Sequence, residues 1–265
     1  MKTVFTIGSQ DAQKDILLLE VGQDFCCYAY LDSKSEKFAF IRYISFDELE
    51  AEGSLDEIIL DLKKEKFQKV VVSSAFAQAL LVPQQYYKPN DILNVLMYDN
   101  VADELLSDSI PEWQLVTSYS IPHSIFDSVS DAFESVQFFH AYTPALRIFN
   151  GFVSEDQLQI HFSTRQFRVM VKKNSQAILA QTYSYKTPLD VVYYLLKICY
   201  EFKFEQSELL IVISGLIDQQ SAIYDELHNY FLNLHFAQAP SYSLPENEHP
   251  HYYFTSLYNL AACVS

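Results

Sequence analysis

His249-Pro250-His251 sets two imidazoles one residue apart, with Glu246 and Glu248 just upstream. These are metal-ligating side chains, but two histidines at this spacing share a metal only with further ligands from distant chain. His161, His228 and His235 are scattered elsewhere. The pair therefore reads as a solvent-exposed tail loop, and no metal site is assigned. No Ser/His/Asp spacing, nucleophile elbow, Walker loop or Rossmann glycine signature occurs. Five glycines in 265 residues are too few to assemble a phosphate-binding glycine loop of either type. No residue is assigned a catalytic role.

The remaining reactive and charged groups bound the setting and the partners. Cys26, Cys27, Cys199 and Cys263 show no metal-knuckle spacing and suit a reduced, cytosolic protein that uses cysteine as a small apolar residue. The net charge is −16 and the pI about 4.7, which disfavours a nucleic-acid backbone as partner. The charge is uneven, with 23 acidic and 11 basic residues in 1–150 against 11 and 7 in 151–265. The run Asp47–Glu52 is either a solvated approach to a helix or a docking surface for a basic protein partner. Tyr86-Tyr87 and Tyr252-Tyr253 are either interface or core aromatics. The N-terminus lacks the apolar run of a signal peptide, and no stretch approaches 18 apolar residues, so no membrane span is expected. Oligomeric state is not legible.

The elements that would position any site repeat. Residues 15–74 read as strand, tight turn, strand, turn, strand, helix, strand, and residues 157–214 read in the same order. Phe25 maps onto Phe167 at an offset of 142, and Val72 onto Ile213 at 141. A long-period repeat of a mixed unit points to an internal duplication and two subdomains, 1–150 and 151–265, divided at Asn150-Gly151.

In the first half, Asp15–Val21, Phe25–Leu31 and Lys37–Ile44 read as strands, with Gly22 taking positive φ in the first turn. Ser54-Leu-Asp-Glu57 reads as a capping box opening a helix over Ile58, Ile59 and Leu62. Val70–Val72 is a short buried strand. Asn90 caps a helix over Ile92, Val95, Leu96, Val101 and Leu105, Trp113–Ser118 is a strand, and Pro122 opens a helix through Ile125, Phe126, Val129, Phe133 and Val136. The second half offers strands Gln157–Phe162, Gln166–Lys172, Gln176–Tyr183 and Leu209–Ile213. Residues 188–202 are apolar nearly all round, which predicts a helix buried on every side, between the two subdomains. Helices over Ser221–Leu234 and Tyr252–Val264 follow.

The fold class is α/β with mixed sheets, and the order βββαβαβα, present twice, resembles the actin-like ATPase fold. That ribonuclease H-like fold is shared by actin, hexokinase and the 70-kDa heat-shock proteins, and the likeness extends to the pilus-assembly and cell-division branch with its PilM-type proteins. VVVSSAFAQALLVPQQYY resembles that branch's strand and Pro-bounded segment, and IPHSIFDSVSDAFESVQFFHAYTPALRIF its linker helix and following strand. The chain is also similar to an uncharacterised bacterial family of this length. The resemblance implies a nucleotide cleft with two Asp-x-Gly hairpin loops for phosphate and metal, and a glycine-rich turn for adenosine.

Here the first loop is Glu20-Val21-Gly22-Gln23-Asp24, which keeps the Gly but has Glu for Asp. The second, His161-Phe162-Ser163-Thr164-Arg165, has neither Asp nor Gly, and the adenosine turn Ser214-Gly215-Leu216 has one glycine. Glu20, Gly22, Asp24, Ser163, Thr164 and Gly215 thus mark a vestigial nucleotide cleft. The expectation is a non-catalytic actin-like protein that binds or scaffolds an unidentified protein partner, with no cofactor. The alternative is an ATP-binding protein or weak ATPase or kinase-like enzyme with ATP and Mg²⁺. At each position the plain reading is a hairpin glycine, a strand-end carboxylate or a polar turn.

Overall fold

The computed structural model describes residues 1–46, 51–96, 103–149, 155–238 and 240–264. Asp47–Glu50 of the acidic run, Val101 and the Asn150-Gly151 boundary lie outside them. The chain forms two compact units: residues 1–148 with 240–248 and 257–265, and residues 149–239 with 249–256. The tail, read from sequence with the second half, is thus divided between them.

The first unit is built on β1 (Lys2–Gly8), β2 (Ile16–Val21), β3 (Phe25–Asp32) and β4 (Lys37–Ser45), followed by α1 (Ala51–Leu62) and β5 (Lys69–Ser74). Then come β6 (Ala79–Pro83), α2 (Pro89–Leu96), β7 (Asp103–Ile110), β8 (Leu115–Pro122), α3 (His123–Ala132), β9 (Val136–His140) and α4 (Tyr142–Phe149). A six-stranded sheet runs β1-β4-β3-β2-β5-β9, and a three-stranded sheet runs β6-β8-β7. β2 is buried throughout and β3 is buried up to Asp32, and both are apolar apart from Glu20 and Asp32, because both faces of the sheet are covered. One face packs Leu17, Leu19, Tyr28 and Tyr30 against Leu55, Ile58, Ile59 and Leu62 of α1 and Ile125 and Val129 of α3.

The second unit has β10 (Gln157–Phe162), β11 (Gln166–Lys173), β12 (Gln176–Ser184), α5 (Pro188–Phe202), β13 (Leu210–Gly215), α6 (Ala222–Tyr230) and β14 (Leu234–Phe236). Its sheet runs β12-β11-β10-β13-β14. The last helix, α7 (Thr255–Ala261), follows a 3₁₀ turn at His251–Phe254. Leu257, Tyr258 and Leu260 are buried, with the Tyr258 ring edge-on to Phe38 of β4 at 5.6 Å. That packing is what carries this part of the tail into the first unit.

The two larger sheets share their ladders in detail. Glu20 pairs with Cys27 and Ser73, and His161 pairs with Arg168 and Ser214, a uniform offset of 141. Cys26 therefore corresponds to Phe167, and the offset of 142 read for Phe25 is one residue too long. Between β5 and α3 the first unit carries β6, α2, β7 and β8, which have no counterpart in the second.

Several local expectations change. The helix α1 starts upstream of Ser54, so Ser54 is no N-cap; burial of the face through Leu55 and Leu62 sets its bounds. α2 ends at Leu96 and Leu105 lies in β7. Trp113 sits in a 3₁₀ turn ahead of β8, Pro122 is the N-cap residue of α3, and Val136 belongs to β9. α5 is not buried all round: Val191, Val192, Leu195, Ile198 and Cys199 face its sheet, whereas Leu189, Tyr193 and Tyr200 are exposed, Tyr200 at 86%. Gly22 does not adopt positive φ; it is glycine because the Phe25 ring would stand 2.4 Å from a Cβ there.

Candidate functional site

The hairpin residues singled out from sequence take up ordinary structural duties. At the β2–β3 turn the Gly22 N–H donates to Phe25 O at 2.9 Å, and the Phe46 N–H donates to Asp24 O at 2.9 Å. Glu20 and Asp24 are each only 2% exposed, so neither carboxylate is presented at a solvated surface. The Phe25 ring, stacked on Tyr43 at 5.2 Å, occupies the space that a Cβ at Gly22 would enter.

In the second unit Ser163, Thr164 and Gly215 come together, since Phe162 at the end of β10 pairs with Gly215 at the end of β13. The Ser163 hydroxyl donates to Gln166 O at 3.0 Å, closing its own turn. Gly215 has φ +84°, and a Cβ there would lie 2.1 Å from Phe162 O, so its glycine serves a close backbone approach. His161 Nδ1 lies 3.0 Å from Ser214 Oγ, whose proton is directed to Ile160 O at 3.2 Å. Burial and the Arg168 charge hold the His161 pKa well below the usual imidazole range. His249 and His251 flank the start of the 3₁₀ turn, with the His249 ring stacked on Tyr253 at 5.8 Å.

A different constellation lies in the first unit. β7 and β9 are terminal strands of their sheets among the described residues. Asp108 joins them: its Oδ2 accepts from the His140 backbone N–H at 2.7 Å and from Thr143 Oγ1 at 2.8 Å, while Oδ1 accepts from the Tyr119 hydroxyl at 3.4 Å. His140 is fully buried; its Nδ1 accepts from the Tyr142 N–H, so Nε2 carries the proton and donates to Phe76 O at 2.9 Å. Burial pushes the Asp108 carboxyl up to about 6, against the opposing pull of these hydrogen bonds and of the Arg147 charge.

Away from this junction the strands leave a cleft of about 540 Å³. β7 lines it with Leu106, Ser107 and Asp108, and Tyr119 of β8 stands behind them. Phe126 and Ser130 of α3, with Phe133, form another wall; Glu134, Val136, Gln137 and Phe138 complete it along β9. Phe126 and Phe138 stack at 5.0 Å, and Leu106, Phe126, Phe133, Val136 and Phe138 are partly buried against the unit's core. The arrangement offers two terminal strands, a cluster of apolar side chains and the carboxylates of Asp108 and Glu134. It has no nucleophile–base pair.

Reading α2 onward to Leu105 hid β7, and with it Asp108. The available signal was alternation: Leu106, Asp108 and Ile110 share one face of a strand whose other face carries Ser107 and Ser109. A carboxylate between two apolar residues on one face marks a charge placed indoors, where it needs donors.

Comparison with known proteins places these features in a family. A Bacteroides thetaiotaomicron protein with an actin-like ATPase fold and unknown function superposes with a TM-score of 0.81 at 13% identity, over 97% of this chain and all of that one. The PilM–PilN type IV pilus biogenesis complex contains a chain that superposes with a TM-score of 0.63 at 9% identity, over 95% and 99% of the two chains. No match is found among curated proteins. The two units therefore have the actin-like ATPase fold, and the sequence pattern of one family matches residues 6–234: the chain belongs to the family described as protein of unknown function DUF3822.

Proposed function

We propose that this is a non-catalytic actin-like protein that binds or scaffolds a protein partner, and that it receives an extended segment of that partner along the cleft between β7 and β9. The observation that carries this reading is the cleft itself. Among the described residues β7 and β9 are the last strands of their sheets and flank a cluster of apolar side chains, which suits main-chain pairing with an added strand. The PilM neighbour is itself found in a complex with another protein, PilN.

The vestigial nucleotide residues argue the other way from an ATPase. Phosphoryl transfer needs carboxylates that hold a hydrated metal ion beside backbone donors open to phosphate. Glu20 and Asp24 are buried, the space beside Gly22 is filled by Phe25, and Ser163 is engaged with Gln166. Cytosolic residence belongs to the same proposal. Cys26, Cys27, Cys199 and Cys263 are all unbridged, and no helix among the described residues is long and apolar enough to cross a membrane.

The test is photo-crosslinking in cells with a photoreactive residue at Ser107 on one wall, at Gln137 on the other, and at exposed Tyr86 as control. One and the same adduct from both walls and not from Tyr86 is expected. Absence of an adduct at both walls, or equal capture at Tyr86, overturns the reading.

A further inference from the structure

We propose that the segment received by the β7–β9 cleft carries a lysine or arginine whose side-chain cation is held by Asp108; this rests on the cleft being the partner site. The lining holds two carboxylates, Asp108 and Glu134, and no Lys, Arg or His. Neither makes an ion pair among the described residues. Arg147 draws on Asp108 by its charge without pairing with it: its side chain donates to Ser109 O at 3.3 Å and lies over the Phe139 ring.

Asp108 is a hydrogen-bonded carboxylate with no cation at ion-pair distance among the described residues. It is 8% exposed, so water screens it poorly, and a buried carboxylate is normally matched by a cation. A carboxylate has about four lone-pair sites. The donors His140 N–H, Thr143 and Tyr119 account for three of them, which leaves room for one N–H of an incoming cation.

The walls suit the rest of such a side chain. Lysine and arginine have an apolar stem that packs on hydrophobic surface, here offered by Leu106 and Val136. The stacked pair Phe126–Phe138 and Phe133 add aromatic surface to the same lining. Glu134, exposed at the rim, favours approach of the same sign of charge. A neutral or acidic segment would bring Asp108 no cation.

The experiment selects binders from a random dodecapeptide library on the full-length protein and keeps those that protect Ser107→Cys from alkylation. Their binding is then measured on wild type, Asp108→Asn and Glu134→Gln, and each basic peptide is remade with citrulline or norleucine at its cation. The expected result is a basic residue at a fixed position in the protecting peptides. Asp108→Asn and the neutral peptide analogues should each weaken binding by about 10- to 100-fold, the range of hydrogen bonds to charged groups. Glu134→Gln should cost only a few-fold, as a rim charge does. Protecting peptides without a cation, or ones indifferent to both the Asn variant and the citrulline swap, overturn the inference while leaving the cleft as the partner site. Failure of any selected peptide to protect Ser107→Cys overturns both. The peptide analogues keep the outcome decisive if the Asn variant folds poorly.

Discussion

Replacing Asp108 by Asn should remove a pH dependence from the stability of the first unit and leave its fold intact. Asn has the shape of Asp, and its carbonyl can accept from the His140 N–H and from Thr143 as Oδ2 does. Its amide then faces the Tyr119 hydroxyl, which can accept. What the substitution removes is the buried charge. The native carboxyl titrates at about 6 against 3.8 when unfolded, because burial opposes ionisation. The native state therefore holds its proton more tightly than the unfolded chain. Stability from this group is greatest below pH 4, falls as pH rises through the interval to about 6, and is flat above it.

The whole interval corresponds to about 3 kcal/mol, of which about 2 kcal/mol falls between pH 4.5 and 7.5. Groups around Asp108 bear on the same titration: Tyr119 on β8, His140 on β9, Arg147 on α4, and Cys263 beyond α7. Burial, with the Asp108 charge, holds Tyr119 and Cys263 above their usual ranges, so neither ionises between pH 4.5 and 7.5. Urea denaturation of wild type and Asp108→Asn at the two pH values gives that difference directly. The variant should gain about 2 kcal/mol on wild type between pH 4.5 and 7.5. A stability difference that stays constant across the range would refute the assignment of a raised, buried carboxyl.

Three further outcomes follow from the geometry. Gly215→Ala should destabilise the second unit by about 2–4 kcal/mol in denaturant titration, because positive φ is strained for alanine and its Cβ would meet Phe162 O. Thr187→Ala should cost about 1 kcal/mol by the same measurement, since the Thr187 side chain and Asp190 form a reciprocal capping box at the start of α5. ATP or ADP at millimolar concentration, with or without Mg²⁺, should leave the melting temperature unchanged. A ligand present at 100 times its Kd would stabilise by about 2.7 kcal/mol and be plainly visible.

Much of the fold was written in patterns of residue type, because patterns report burial and burial decides elements. Gln157–Phe162 alternates, and it is β10; the apolar run through Leu17, Leu18 and Leu19 is a strand covered on both faces. The failures came where a local pattern had two physical explanations. Gly22 fits a turn by conformational freedom or by lack of a side chain, and only the position of the Phe25 ring decides between them. Residues 188–202 carry enough tyrosine and leucine to suggest full burial, yet Leu189, Tyr193 and Tyr200 are exposed, which composition alone cannot distinguish from core. Asp108 escaped because what makes it unusual is its surroundings, and those are assembled from His140, Thr143 and Tyr119 across distant parts of the chain.

The division between what the two units share and what they do not bears on function. The ladders through Glu20 and His161 match residue for residue, and at those matched positions the side chains close turns and fill the sheets. The β6-β8-β7 sheet has no counterpart, so the second unit has nothing to set against its own terminal strand β14 in the way β7 is set against β9. A sheet can cover its last strand with a helix or loop or leave it able to pair, and an apolar edge left able to pair is a liability unless used. Here the added sheet forms one wall of a cleft beside such an edge and contributes a carboxylate, Asp108, to its lining. Asp108 ties β7 to β9 and α4 through the His140 N–H, Thr143 and Tyr119, so its place in the packing is set by hydrogen bonds, while its charge has no ion-pair partner among the described residues. An ionised acid in that place can take a cation from a bound segment without giving up those hydrogen bonds, because a carboxylate has about four lone-pair sites.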